Sequence, residues 1–412
     1  MKGRPLVLLV GALLALPSQA GSQVGAFQPA GALKAGRYLH TATRLADGRV
    51  LVVGGRGVDG TKELDSVELY QPKTNRWADG PKLSAGRSGH TATLLPDGRV
   101  LVTGGTTHEA SAEGSRFVAR DSVELFDPKA NQWKPGAPMA QARNWHTATL
   151  LDDGRVLVVG GAREQKRHLN TAELYDPAKD RWSAAAPLAQ ARCLHQAVKL
   201  TDGSVLVVGG RSNQLPLEEA GPDAGMAQRP HGAARGPTGF GAPIASAERW
   251  SPEGKWTTLS EPVDPRQRHA LLALPQGRAM VVGGATRTGL TNLAELWTPD
   301  AGAWLTPEHS LSMGLGSHTA TALENGDVLV VGGEPPNSVD TARAQRFEAA
   351  AQRWCLAGEL LSSRKQHTAT VLESGRVLVV GGVSAGIPER TAERWEPRKG
   401  ACEEPPGPSL EW

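Results

Sequence analysis

The chain is poor in cysteine, in net charge and in long apolar runs, and each scarcity excludes a class of protein. Its 412 residues include only three cysteines, so a disulfide framework does not hold the fold together. The formal net charge is only +3, too small a basic excess to follow a phosphate backbone, so we expect no nucleic-acid partner. No segment is long and apolar enough to span a membrane. Glycine and proline, in contrast, number 49 and 29, which favours a turn-rich all-β chain.

The start of the chain has the pattern of a secretory signal peptide. Lys2 and Arg4 give a positive start, residues 6–16 are uncharged and apolar, and small residues precede a cleavage point after Ala20. We therefore expect export to the periplasm or the exterior, with removal of residues 1–20. The alternative interpretation is a buried first strand.

A Gly-Gly doublet recurs seven times, and a histidine lies fourteen residues before each doublet. Such constant spacing indicates seven copies of one structural unit. An Asp-Gly or related pair between histidine and doublet predicts a tight hairpin. The strand before the doublet, as at residues 156–159, is apolar on both faces, which is typical of a strand between stacked sheets. The histidines are His40, His90, His146, His195, His269, His318 and His367, and the doublets begin at residues 54, 104, 160, 209, 283, 332 and 381.

Two further strands follow each doublet, and they carry an aromatic residue and then a tryptophan, as at Tyr175 and Trp182. Four strands make one blade of a β-propeller. The paired glycines, the aromatic residue and the tryptophan resemble the kelch repeat over about residues 27–397. This resemblance implies an all-β, seven-bladed propeller around a central channel. The sequence departs from the pattern at Gln345, where other copies carry glutamate, and at Cys402, near an expected tryptophan.

The chain opens with an unpaired fourth strand, and the last copy lacks one. Thirteen residues separate tryptophan from the next histidine in most copies, and counting back thirteen from His40 reaches Phe27. We predict that this N-terminal strand completes the seventh blade. Cys355 and Cys402 are candidates for a disulfide that pins the tail, which would leave Cys193 as a buried thiol. The predicted domains are a signal peptide at residues 1–20, the propeller at residues 21–402 and a proline-rich C-terminal tail at residues 403–412.

The seven histidines suggest a metal site, but repeat geometry opposes it. A metal ion needs nitrogen ligands at about 2 Å, whereas adjacent sheets pack about 10 Å apart. We therefore assign the histidines to architecture. A recurrent arginine and a recurrent glutamate should pair within or between blades, because burying either charge alone is costly. The arginines are Arg37, Arg87, Arg143, Arg192, Arg266 and Arg364, and the glutamates are Glu68, Glu124, Glu173, Glu248, Glu295 and Glu393.

A single functional site must lie where the repeat is broken. The two residues between arginine and histidine vary, as do the loops after the doublets, with insertions at residues 106–120 and 211–245. If these positions surround the channel mouth, aromatic faces and cations meet there, a mixture that suits a sugar or an acidic peptide. The alternative is ordinary loop packing. The candidate binding residues are Tyr38, Arg56, Asn144, Trp145, Arg211, Arg268, Glu334 and Lys365.

We expect a monomeric binding module for a protein or a glycan, with no catalytic residue, metal or cofactor. Galactose oxidase also has a kelch-like propeller, and its copper site needs a Tyr–Cys cross-link and a second tyrosine beside a histidine ligand. The three tyrosines here, Tyr38, Tyr70 and Tyr175, are not followed by histidine. A carbohydrate-active enzyme remains the alternative: an epimerase or a kelch-like sialic-acid mutarotase, to which we match no specific motif, or the less favoured copper oxidase.

Overall fold

The computed structural model describes residues 25–58, 62–111, 114–163, 167–213, 241–262, 264–398 and 402. Within them the chain forms seven four-stranded antiparallel sheets. The first strand of each sheet contacts the first strands of both neighbouring sheets, and these contacts close a ring. The predicted seven-bladed β-propeller is therefore confirmed. We number the blades 1 to 7 in chain order, so that blade 1 begins after His40.

The four strands of each blade follow one another in the sheet, and three short hairpins project from the loops after the doublets. The strands of blades 1 to 3 are Thr41–Arg44, Val50–Val53, Val67–Gln71 and Arg76–Asp79; Thr91–Leu94, Val100–Thr103, Val123–Asp127 and Gln132–Gly136; and Thr147–Leu150, Val156–Val159, Ala172–Asp176 and Arg181–Ala185. Those of blades 4 to 6 are Gln196–Lys199, Val205–Val208, Ala247–Trp250 and Trp256–Thr258; Ala270–Ala273, Ala279–Val282, Ala294–Thr298 and Ala303–Leu305, with a 3₁₀ turn at Pro275–Gly277; and Thr319–Ala322, Val328–Val331, Arg343–Glu348 and Arg353–Glu359. Blade 7 has Thr368–Val371, Val377–Val380, Thr391–Pro397 and Gly25–Ala32. The hairpins are Thr106–Ser111 with Gly114–Ala119, Arg211–Ser212 with Ala242–Pro243, and Val383–Ser384 with Ile387–Pro388.

The ring is closed by the N-terminal strand, as the spacing predicted. Gly25–Ala32 lies antiparallel to Thr391–Pro397, with Phe27 opposite Trp395. Phe27 is buried in the apolar cluster between blades 6 and 7, together with Trp395 and Cys355. The two ends of the chain therefore supply adjacent strands of one blade.

The core consists of seven apolar clusters, one at each interface between blades of the described chain. In blade 3, Val156 and Val158 pack toward blade 2, whereas Leu157 and Val159 pack toward blade 4. This division explains why the second strand is apolar at every position. Burying one such side chain contributes about 1.5–3 kcal/mol, so the second strands carry much of the fold's stability.

The Gly-Gly doublets are required by the contact between blades. Gly160 and Gly161 have φ of +62° and +97°, a region that L side chains rarely adopt. A Cβ on Gly160 would lie 2.7 Å from the Arg192 carbonyl oxygen and 2.8 Å from the His195 ring. The Gly161 N–H donates to that same carbonyl of blade 4 at 2.8 Å. The doublet thus ends its strand and joins its blade to the next.

The cysteines are arranged as the sequence predicted. Cys355 and Cys402 form a disulfide, with Cα atoms 5.1 Å apart, and Cys193 is a buried free thiol. No helix among the described residues is long and apolar enough to cross a membrane. The proposed signal peptide, residues 403–412 and most of the insertion at residues 211–245 lie outside the described residues.

Candidate binding face at the channel mouth

The recurrent arginines and glutamates form buried ion pairs inside six of the seven blades, as predicted. In blade 3, Arg143 Nη2 donates to Glu173 Oε1 at 2.6 Å, and Nη1 donates to the first doublet carbonyl, on Gly160, at 2.7 Å. The other carboxylate oxygen of Glu173 accepts from the Ala140 N–H. Each buried charge therefore has an opposite charge beside it, so the Arg–Glu pairs stabilise the blade and belong to its architecture. The equivalent pairs are Arg37–Glu68, Arg87–Glu124, Arg192–Glu248, Arg266–Glu295 and Arg364–Glu393.

Blade 6 replaces both members of this pair with neutral residues. Leu315 occupies the arginine position and is 2% exposed, and Gln345 occupies the glutamate position and is 1% exposed. Gln345 Oε1 still accepts from a backbone N–H, that of Ser312, at 3.0 Å. The uncharged pair therefore keeps the backbone contact without burying a lone charge.

The recurrent histidines join neighbouring blades and do not converge on a common point. In five cases the ring Nε2 lies 2.9–3.1 Å from a threonine hydroxyl at the start of the preceding blade's first strand. Burial lowers the pKa of His90, His269 and His367 to about 3 and that of His318 to about 4. The five pairs are His40–Thr368, His90–Thr41, His146–Thr91, His195–Thr147 and His367–Thr319.

The residue before each histidine lies in a ring at the end of the channel. All seven have a positive φ between 49° and 60°, which turns the chain into the first strand. Five of their N–H groups donate to the carbonyl of the equivalent residue in the preceding blade, at 2.9–3.2 Å. These bonds join successive blades and place the side chains of Trp145 and Arg268 at the channel mouth. The ring residues are Leu39, Gly89, Trp145, Leu194, Arg268, Ser317 and Gln366.

A second ring lies beside the first, where the residue two before each histidine pairs with the residue after the doublet. Tyr38 bridges Arg56 in blade 1, and Lys365 bridges Val383 in blade 7. All eight candidate binding residues therefore lie on one face of the propeller, which we call the loop face. The remaining bridges are Ser88–Thr106, Asn144–Ala162, Cys193–Arg211, Gln267–Ala285 and Gly316–Glu334.

Over blades 5 to 7 the mouth is cationic. Arg268 Nη1 lies 3.2 Å and Lys365 Nζ lies 3.5 Å from the same oxygen of Glu334. The three side chains are 37%, 19% and 29% exposed, respectively. Since two cations share one carboxylate, this side of the mouth has an uncompensated positive charge available to a ligand.

Over blades 1 and 2 the mouth is aromatic. The Arg56 guanidinium lies 5.9 Å from the Tyr38 ring centroid and 5.0 Å from that of Phe117. The His108 and Phe117 rings contact each other at a tilt of 48°, with their centroids 3.9 Å apart. The buried Glu63 carboxylate accepts from the His108 backbone N–H at 2.8 Å. Glu63, His108 and Phe117 were missed from the sequence. The 106–120 insertion lacks a regular apolar–polar alternation that would have predicted its hairpin.

In blades 3 and 5 the loop face holds buried polar atoms that lack a hydrogen-bond partner within the described residues. Within the described chain, Asn144 Oδ1 and Gln267 Oε1 accept no hydrogen bond, and each residue is only 7% exposed. Burial and nearby Arg211 lower the pKa of His168, which bridges Ala162 beside Asn144, to about 4. A buried unsatisfied acceptor is costly, so a ligand that donates to these atoms gains free energy.

Cys193, also at this ring, is fully buried, and burial raises its pKa to about 12. A thiol with so high a pKa is a poor nucleophile.

The tyrosines do not fit a copper site of the galactose-oxidase kind. Tyr70 and Tyr175 are buried between blades, where their hydroxyls donate to Asn75 and Asp180 at 2.7 and 2.8 Å. One group of three His, Cys, Asp or Glu donors was found within the described residues, and two of its members are the disulfide-bonded cysteines. Disulfide sulfurs lack the thiolate that binds metal.

Comparisons with known proteins agree with this architecture. A family model described as the KLHDC2/KLHL20/DRC7 Kelch-repeats domain matches residues 19–210. Kelch-like protein 35 of Mus musculus is 32% identical over 126 residues, which cover 31% of this chain. The chain spans only 20% of that relative's length.

Two solved structures share the fold at low sequence identity. A copper-bound fungal alcohol oxidase of the AA5 family superposes with a TM-score of 0.67 at 18% identity, covering 91% of this chain and 76% of its own. The structure of YjhT superposes with a TM-score of 0.55 at 15% identity, covering 79% of this chain and 98% of its own. Likeness at these identities concerns the fold alone. The family-model match over residues 19–210, together with the doublets, the blade count and the tryptophan positions, supports a kelch β-propeller.

Proposed function

We propose that this propeller is a protein-interaction module that recognises its partner through the loop face, centred on the channel mouth. Kelch propellers typically serve as interaction modules, and the family match supports that class. The residues of the loop face differ from blade to blade, whereas the buried ion pair is repeated in six blades and the histidine in all seven. Recognition needs such departures, because a single ligand cannot use seven identical positions.

The asymmetry of the mouth is the observation that carries this proposal. Arg268 and Lys365 share the Glu334 carboxylate over blades 5 to 7, while Trp145 lies in blade 3, bonded through its backbone to Gly89 of blade 2. Asn144, the residue before Trp145, has a buried Oδ1 that accepts no hydrogen bond within the described residues. A peptide segment with an acidic side chain and a neighbouring apolar side chain would match these groups, with its N–H donating to Asn144. Aromatic and arginine residues commonly dominate binding energy at interfaces.

A peptide-display selection against the full chain, run in parallel with a glycan array, tests the proposal. We expect enrichment of acidic peptides with an apolar neighbour, and a loss of about tenfold or more in affinity for Trp145→Ala and for Arg268→Gln, as truncated interface anchors typically show. Lys179→Ala is the matched control, because Lys179 is 60% exposed on the opposite face and pairs there with Asp176. It should bind as the wild type does.

Equal binding by the wild type and both mouth variants would remove the mouth as the site. Binding of a glycan but no peptide, abolished by Trp145→Ala, would replace the protein partner with a carbohydrate.

We also propose that the protein is exported. The charged start, apolar run and small residues over residues 1–20 support this, and a disulfide such as Cys355–Cys402 persists best in an oxidising compartment. N-terminal sequencing of the protein from the cell exterior or periplasm should begin at Gly21. Recovery of an intact Met1 in the cytosolic fraction alone would contradict export.

A further inference from the structure

A second candidate site lies on the face opposite the loop face, at the junction of blades 7 and 1. A cleft of about 540 Å³ opens there between the hairpin turns of the two blades. We call it the seam cleft, because it lies where the ring is closed by the N-terminal strand. Four cations and two carboxylates line it, namely Arg49, Lys73, Arg376 and Arg394, and Asp47 and Glu373.

One carboxylate that other blades carry is missing from this cleft. In blades 1 to 3 the hairpin reads Asp-Gly-Arg, and the arginine pairs with the aspartate two residues before it, at 2.6–2.7 Å. In blade 7 the same turn reads Ser374-Gly375-Arg376. Arg376 therefore lacks the local partner that Arg49 has, and its Nε instead lies 3.3 Å from Glu396.

Two further departures from the repeat add to the positive charge. Gln71 stands where blades 2 and 3 carry Asp127 and Asp176, and within the described residues Lys73 forms no ion pair. Arg394 stands where blades 1 to 3 carry leucine and where blades 4 and 6 carry Arg249 and Arg346. It shares Glu396 with Arg376, at 3.5 Å. Its Nε is buried and, within the described chain, has no hydrogen-bond partner. Compared with the equivalent cleft between blades 2 and 3, Ser374, Gln71 and Arg394 each make the seam cleft more positive, and Glu373 offsets part of that charge.

The equivalent cleft between blades 2 and 3 shows the opposite balance. It has a similar volume, about 580 Å³. Three carboxylates and two arginines line it: Asp97, Asp153 and Asp176, and Arg99 and Arg155. The two clefts therefore occupy equivalent places in the repeat, and of the two only the seam cleft has more cations than carboxylates.

We propose that the seam cleft binds a small polyanion, a ligand that presents two or more negative charges as phosphate or carboxylate groups. Arg49 and Lys73 approach from blade 1, and Arg376 and Arg394 approach from blade 7. A polyanion held by charge-assisted hydrogen bonds from both sides bridges the two blades. Because a ligand that binds only the folded state stabilises it, occupancy strengthens the ring at its closure. This site is independent of the function proposed for the loop face.

Calorimetric titration and thermal unfolding of the full chain with pyrophosphate, and separately with citrate, test this site at constant ionic strength. We expect saturable binding and a rise in melting temperature. Ser374→Asp and Gln71→Asp, which restore the residue types of other blades, should each weaken affinity by about tenfold, since hydrogen bonds to charged groups are strong. Ser374→Asp should not lower the melting temperature without ligand, because it gives Arg376 a local partner. Arg155→Gln, in the equivalent cleft, is the matched control and should bind normally.

Binding of pyrophosphate alone would assign a phosphorylated ligand, and binding of citrate alone would assign a carboxylate ligand. Binding of both would show that the cleft recognises multiple negative charges of either kind. Absence of binding to the wild type would overturn the proposal. Equal affinities for the wild type, Ser374→Asp and Gln71→Asp would also overturn it, as would an equal loss of affinity in Arg155→Gln. Either result would show that the anion acts on the protein without occupying the seam cleft.

Discussion

Blades 6 and 7 are neighbours that depart from the repeat in different ways. Blade 7 keeps its buried Arg364–Glu393 pair but takes its fourth strand from the other end of the chain. Blade 6 is continuous in sequence but replaces the ion pair with Leu315 and Gln345. The fold tolerates both departures, and the difference shows what each repeated feature does.

The two blades show two separate requirements of the fold: a complete four-stranded sheet and a balanced buried pair. In blade 7 the required feature is a fourth strand, whatever its origin in the chain, because the third strand would otherwise be an exposed edge. In blade 6 the required feature is that neither partner is buried alone, and a neutral pair satisfies it. In these two blades, a completed sheet and a balanced buried pair are kept although the residues that supply them differ.

Removal of residues 25–32 should have the largest effect on stability. It exposes the edge of Thr391–Pro397 and removes Phe27 from the cluster between blades 6 and 7. Loss of a buried aromatic side chain alone costs about 3–5 kcal/mol, a large part of the stability of a typical protein. Chemical denaturation should show loss of the cooperative transition, and Gln28→Ala, an exposed position on the same strand, should unfold as the wild type does. An unchanged midpoint after the deletion would show that closure does not stabilise the ring.

Breaking one buried ion pair should rank second. Arg143→Leu leaves Glu173 buried without its cation and should lower the free energy of unfolding by about 3–5 kcal/mol. The double variant Arg143→Leu/Glu173→Gln copies blade 6 into blade 3 and should recover most of that loss. Urea denaturation of the wild type, the single variant and the double variant measures both steps. If the double variant were no more stable than the single one, the tolerance of blade 6 would depend on its own surroundings.

The features that were predictable from sequence are those repeated in every copy. The His-to-doublet spacing and the Phe27 count led to the blade number and to the closing strand, because a repeated contact leaves a repeated residue. The Cys355–Cys402 pairing followed from their placement in the last two copies. The eight candidate residues were placed on one face because they flank repeated positions.

What the sequence did not reveal lies where residues distant in sequence meet only once. Glu63 and His108 come from the loops of different blades, and no spacing rule connects them. The unsatisfied oxygens of Asn144 and Gln267 depend on the orientation of single side chains. The seam cleft depends on Gln71 and Ser374, which lie about three hundred residues apart and become neighbours only when the ring closes. Their significance is visible only against the equivalent cleft of another blade.

Removal of the disulfide between blade 6 and the tail should have a smaller effect than loss of an ion pair. Cys355→Ser/Cys402→Ser opens a loop with a sequence separation of 47 residues. Chain-entropy arguments predict a loss of about 2–4 kcal/mol. Thermal unfolding with and without reductant should show the same decrease for the wild type that the double variant shows without reductant. A reductant effect that persisted in the double variant would point to a different cause.

The histidines should make stability depend on pH. Burial lowers the pKa of His318 in blade 6 to about 4 and that of His367 in blade 7 to about 3, whereas an unfolded histidine titrates near 6.5. The unfolded state therefore binds protons first, and stability falls as pH decreases below about 6.5. Each histidine contributes at most about 1.4 kcal/mol per pH unit. Urea denaturation between pH 7.5 and pH 4.5 should show that the free energy of unfolding depends less steeply on pH in His367→Gln than in the wild type. An identical slope would contradict the burial of His367 in its neutral form.

The smallest expected effect is a gain, obtained by giving blade 6 a contact that blade 7 already has. His367 Nε2 lies 2.9 Å from the Thr319 hydroxyl, whereas the residue at the equivalent position for His318 is Ala270. Ala270→Thr places a hydroxyl beside His318 and should raise the free energy of unfolding by about 1 kcal/mol, the usual net contribution of a hydrogen bond. Ala270→Val is the matched control, since it adds the same branched shape without the hydroxyl. If valine stabilised as much as threonine, packing in the first strand and not the hydrogen bond would account for the gain.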